Sequence, residues 1–161
     1  MNTRRAVAAV AIAAVAGAAI VTVFFPGLLI GDPGSYDETT VTITDEDGTE
    51  LGTVDVRIAD TRSKRYTGLS DTDSLASDEG MLFVHDKEDQ HSYVMRDMSF
   101  PLDIIFVDAN GTIVQVFHAR IDGKNAPYKA RGKYVLETNR GWANQTGVST
   151  GDTVEIPDSM A

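Results

Sequence analysis

Cysteine is absent from the 161 residues, lysine appears only five times and tryptophan once. Without cysteine the chain has no disulfide, no thiolate nucleophile and no site for a cysteine-linked lipid anchor. Basic residues are scarce: 14 against 24 acidic ones, a formal net charge of −10 at pH 7. Such a chain repels phosphate backbones and anionic lipid surfaces, so nucleic acid is not an expected partner. No Gly-rich phosphate loop, EF-hand spacing or G-x-S-x-G elbow occurs, and no cofactor is implied.

What is present begins with an apolar N-terminus. Arg4 and Arg5 precede an uncharged stretch from Ala6 to Gly31, and Ala6–Phe25 is almost entirely Ala, Val, Ile and Phe. About twenty apolar residues at ~1.5 Å each span a ~30 Å hydrocarbon core. The flanking arginines favour the cytoplasmic side, which sends the rest of the chain outside. A cleaved secretory signal is the rival reading, but its apolar region normally runs about 7–15 residues. The expected organisation is a cytoplasmic stub (1–5), a transmembrane anchor or uncleaved signal (6–30), a linker (31–39) and an extracytoplasmic domain (40–161). The expected localisation is therefore the cell membrane, single pass. All 24 acidic residues follow Gly31, together with 12 of the 14 basic ones. That acidity reads as adaptation to high salt, where screening is nearly complete.

Residues 40–161 suffice for one hydrophobic core and hardly for two. Thr40–Thr44 alternates with period two, Asp45–Gly48 is a turn, and Leu51–Ile58 continues as the second strand of a hairpin. Asp60 or Thr61 caps a short helix that Gly68 ends. Met81–Val84 is a strand, His85–Gln90 a charged loop, and His91–Met95 a strand again. Phe100–Val107 is apolar on both faces and hence central. Asn110-Gly111 marks a hairpin turn. Arg120–Gly132 reads as a long basic loop, followed by a strand at Tyr134–Thr138, a short helix over Arg140–Thr146 and a last strand at Thr153–Ile156. The fold class is mainly β (α+β): a compact small barrel or sandwich of seven to eight short strands with two short helices.

Several motifs occur in order: Tyr66-Thr67-Gly68-Leu69, Gly80-Met81-Leu82-Phe83, Val94 to Asp108, Val135-Leu136-Glu137, Gly141 and Gly147 to Asp152. The chain from about Val54 to Ile156 thereby resembles the DUF192 family, a domain of unknown function. With its apolar N-terminus and acidity it looks like a membrane-anchored, haloarchaeal form. The resemblance implies a compact, mostly β domain and no particular reaction. Departures from the family pattern fall at Ser70, Val94, Arg96, Asp97 and Met98. Arg96 keeps a cation where the family tends to have lysine. Asp97 puts an anion where it tends to have asparagine.

Asp103 stands inside the most apolar strand, and a charge buried there must be compensated. It is expected to contact Arg96 or at least two hydrogen-bond donors, and part of that cluster is expected to face a pocket. Arg96, Asp97, Asp103 and Glu137 are the candidate ligand-binding residues, for a small polar ligand or a cell-surface partner. Asp103 and Glu137 are also the weak catalytic candidates. A hydrolase of cell-surface carbohydrate would need them roughly 5–10 Å apart across a cleft. A purely structural or assembly domain is the third reading. His85, His91 and His118, with Met81, Met95 and Met98, would suit a soft metal. His91 and Met95, however, lie four residues apart on one strand, about 13 Å, so no metal site is expected. Asn110 and Asn144 head glycosylation sequons. Trp142 reads as core.

Overall fold

The computed structural model describes residues 34–122 and 126–160. The expected anchor at 6–30 lies outside them, and no helix among the described residues is long and apolar enough to cross a membrane. The unit from Ser35 to Ala161 is a single seven-stranded sheet that curls into a half-barrel.

The first hairpin joins β1 (Glu38–Thr44) to β2 (Glu50–Ala59) in antiparallel register. Asp45 shapes its turn, its carboxylate accepting from the Asp47 and Thr49 amides at 3.0 and 2.8 Å. Short polar side chains make such local bonds in preference to extending a ladder. Helix α1 (Arg62–Thr67) starts where Thr61 accepts from the Lys64 amide and stops at Gly68, φ 53°. It belongs to a crossover, because β2 pairs in parallel with β3 (Glu79–Tyr93). Parallel neighbours need a connection of about a dozen residues or more. That connection lies against one face of the sheet.

β4 (Leu102–Val107) and β5 (Ile113–His118) form the second hairpin, turned at Asp108–Gly111 with Gly111 at φ 89°. β6 (Tyr128–Asn139) inserts between β4 and β3, antiparallel to both. Helix α2 (Trp142–Thr146) follows, then β7 (Thr153–Val154) on the far side of β1. The strand order is β5-β4-β6-β3-β2-β1-β7. The two edges are joined near one end by an isolated bridge, Thr112 to Thr153, flanked by bonds between Ile113 and Asp152 and between Val154 and Gly111.

Three expectations need correction. β3 is one strand, not two separated by a loop; its register breaks between Val84 and Asp89, where extra residues bulge out opposite β6. β6 already begins at Tyr128, so the basic loop is shorter than composition suggests, and Arg131 pairs with Glu88 at 2.8 Å. The apolar residues form two layers rather than one, because β3, β4 and β6 are apolar on both faces. One layer holds Ile43, Leu82, Ile105, Val107 and Leu136 with Trp142 of α2. The other holds Met81, Phe83, Ile104, Phe106 and Val135, with Leu69 from the crossover packed among them. Gly80 sits where strands crowd: a Cβ there would fall 2.5 Å from the Glu137 carbonyl oxygen and 2.9 Å from Val54.

Candidate functional site

The crossover leaves a cavity of about 270 Å³ over the second apolar layer. The end of α1 and the turn after it supply Arg65 to Ser70, β3 supplies His85, His91 and Tyr93, the next connection supplies Arg96, and β6 supplies Glu137.

Glu137 is its central group. The β4–β6 register sets it beside Ile104 and the β3–β6 register beside Met81, so its side chain leaves the sheet among apolar neighbours. It is 6% exposed, and its carboxyl makes no hydrogen bond among the described residues. Burial alone pushes its pKa from 4.5 up to about 8, since the charged form loses water without gaining a partner. It therefore stays a neutral carboxylic acid at neutral pH.

Around it the polar groups are also held neutral. The bulge in β3 folds His85 back over His91, ring on ring at 3.5 Å and 11°. In a straight strand six residues would separate them by about 20 Å. Burial first, then the neighbouring His91 and Arg65, lowers His85 to about 4. Burial likewise lowers His91, whose Nε2 is buried without a hydrogen bond. The Tyr93 hydroxyl lies 2.9 Å from His85 Nε2. Burial and the nearby Glu137 raise its phenol well above the ordinary value.

Two guanidiniums bring the positive charge. Arg65 Nη1 donates to the carbonyls of Asp60 and Val84, both at 2.7 Å, which ties α1 to β3. Arg96 lies over the Tyr66 ring at 4.4 Å and donates to the Tyr66 hydroxyl and carbonyl at 3.2 and 3.3 Å. Its Nε is 3.5 Å from Asp97.

Of the four expected ligand residues, the fold brings Arg96 and Glu137 to this cavity. Asp97 lies outside it, exposed, at φ 57°. After glycine, asparagine and aspartate are the residues that best tolerate that left-handed backbone. Their exchange at this position therefore keeps the turn and need not alter a ligand contact.

Asp103 points to the other face. Its register partner on β6 is Thr138, one residue beyond Glu137, and strand side chains alternate. There it is fully buried and accepts from the Gly141 and Ala143 amides at 3.0 and 2.9 Å. His118, opposite it on β5, lies 2.7 Å away through Nδ1. Asp103 thus satisfies the start of α2, whose own cap residue is a glycine without a side chain to do so. The expected two donors are present; the contact to Arg96 and the pocket are not. Asp103 and Glu137 cannot flank one substrate, because the sheet lies between them.

Asn110 and Asn144 are both exposed, and Trp142 is core. No cluster of three or more His, Cys, Asp or Glu suited to a metal ion occurs among the described residues. Sequence reasoning passed over Arg65 and Tyr93 and separated His85 from His91. The only available signal for Arg65 was its position next to the Tyr66–Leu69 motif.

The family model DUF192, an uncharacterized ACR, matches residues 42–156. A crystal structure of a candidate transcription regulator from Sinorhizobium meliloti 1021 is similar, at 30% identity and a TM-score of 0.71, covering 75% of this chain and 95% of that one. A protein of unknown function from Novosphingobium aromaticivorans DSM 12444 is similar at 29% identity and a TM-score of 0.67, covering 74% and 85%. Comparison with curated proteins finds no match.

Proposed function

We propose, from the premise that the chain belongs to the DUF192 family, that its domain binds a small polar molecule in the cavity over Glu137. One observation carries this reading: a buried carboxyl without an internal partner faces an open cavity. A group placed that way destabilises the fold, and it is retained where a ligand completes its hydrogen bonds. The surroundings support the same reading. Convergent polar groups in a largely apolar wall are the usual composition of a ligand site. At about 270 Å³ the space falls just below the range of roughly 300–1,000 Å³ typical for drug-sized ligands, which suits a metabolite rather than a polymer.

We further read the domain as tethered by residues 6–30 and facing away from the cytoplasm, on the apolar length and Arg4 and Arg5. Protease added to intact spheroplasts would then digest residues 40–161; protection until lysis would refute that orientation. The regulatory description belongs to the Sinorhizobium protein. A comparable role here would act through a ligand or protein partner, since 24 acidic residues against 14 basic ones disfavour contact with nucleic acid.

The ligand reading is tested by saturation-transfer NMR of the full chain with mixtures of host metabolites. At least one small polar compound should receive saturation, and Glu137→Leu should abolish the effect. If no compound binds, or if every binder is indifferent to Glu137→Leu, the cavity is not the ligand site.

A further inference from the structure

Resting on the reading of the cavity as a ligand site, we infer that its ligand is a small organic anion. The guanidiniums of Arg65 and Arg96 and the carboxyl of Glu137 line the cavity that receives it.

The distribution of charge is the first argument. The chain carries 24 acidic residues, yet Glu137 is the one carboxyl that lines this cavity, against two arginines. Burial keeps that carboxyl protonated at neutral pH, with its pKa at about 8, and both histidines of the wall are kept neutral. The cavity wall is thus positive within a negative protein. A cationic ligand would meet two guanidiniums and would have to ionise the buried acid. An anion meets two cations and an acid able to donate.

Unused donor capacity is the second argument. Arg65 spends only Nη1 on the protein, and its Nε and Nη2 make no other hydrogen bond among the described residues. A guanidinium presents five donors in a planar fork suited to carboxylate. The apolar part of the wall, Leu69, Phe83, Met98 and Leu102, favours an organic body over an inorganic ion. The net charge of −10 opposes anions at long range, but in molar salt the Debye length shrinks to about 3 Å.

A pH dependence follows. The titratable and charged groups that line the cavity with Glu137 are Tyr93, His85 and His91 on β3, Arg65 and Tyr66 on α1 and Arg96 in the connection after β3; β4 adds only apolar side chains to this face. Raised Tyr93 and lowered histidines keep their protonation states between pH 7 and 9. Among Glu137, Tyr93 and the two histidines, only Glu137 titrates in that window. Ionised, it opposes an anion, so affinity falls about tenfold from pH 7 to pH 9.

Benzoate, the neutral benzamide and the cationic benzylamine serve as probes of one shape. Each is titrated into the full chain, with the His91 and Tyr93 ring signals followed by NMR. Benzoate should shift them and bind at least tenfold more tightly than the other two. Its affinity should fall with pH as above. Arg96→Met, at a partly exposed position outside the apolar layers, should weaken benzoate at least tenfold. Arg65→Met should do the same where circular dichroism shows it folded. Glu137→Gln should flatten the pH profile between 7 and 9. If benzamide or benzylamine binds as tightly as benzoate, the anion class is wrong while the ligand cavity stands. If none of the three shifts those signals, the cavity reading fails and the anion class with it.

Discussion

Replacing Glu137 by glutamine should stabilise the protein, and by an amount that grows with pH. Glutamine keeps the shape and polarity of a protonated carboxyl but cannot ionise. In the folded wild type burial holds the carboxyl at about 8, against an ordinary value of 4.5. That gap of roughly 3.5 units, at about 1.4 kcal/mol each, makes about 5 kcal/mol of pH-dependent stability. The folded pKa lies above the unfolded one, so the folded state binds the extra proton between pH 4.5 and 8. Stability from this group is complete below pH 4.5 and is lost progressively as pH rises through 8. The difference between variant and wild type should therefore be near its minimum at pH 5. It should reach about 3 kcal/mol more at pH 7 than at pH 4.5, and level off above pH 8. His85 runs the opposite way: its pKa is lowered to about 4, so its contribution is present above pH 6.5 and lost as pH falls. It is common to both proteins and cancels in the difference. Guanidinium denaturation at pH 5, 6, 7, 8 and 9 at constant ionic strength measures the curve. A difference independent of pH would refute the placement of Glu137 as a buried acid without a partner. A residue that destabilises its own fold at physiological pH is explained by function better than by packing.

Asp103→Leu should destabilise by about 2–4 kcal/mol, because it leaves the Gly141 and Ala143 amides buried without an acceptor. Probe binding should persist wherever the variant folds, and loss of binding in a folded variant would contradict the separation of the two faces. Gly80→Ala should cost about 1–3 kcal/mol in denaturant midpoint measurements, since its Cβ would press on the Glu137 carbonyl and Val54; an unchanged midpoint would show that the strands spread freely. With 24 acidic residues against 14 basic ones, the thermal midpoint should rise from low to molar KCl; a flat or falling trend would sink the reading of the acidity as salt adaptation.

Much of the fold was legible without coordinates. The alternation of Val41 and Ile43, the Asp-rich turn at 45–48, Thr61 and Gly68 around a short helix, and Asn110-Gly111 all act over a few residues. Local sterics and hydrogen bonding suffice there, and each element appears close to its expected bounds. The burial of Leu102–Val107, within the expected strand Phe100–Val107, also followed from composition, since a strand apolar on both faces needs cover on both. The ordered motifs were enough to place the chain in its family. What the sequence could not decide was which carboxylate faces the cavity. Asp103 and Glu137 lie 34 positions apart, and both read as charges trapped in apolar strands. Their separation depends on a register, Asp103 against Thr138 and Ile104 against Glu137, and a slip of one residue would have put them on one face. That register is set by the packing of two apolar layers across the whole sheet. The same holds for the β3 bulge that stacks His85 on His91 and for the crossover that brings Arg65 to the cavity that Glu137 lines. Local chemistry wrote the elements; long-range pairing chose which face each charge occupies, and with it made Asp103 a helix anchor and turned Glu137 toward the cavity.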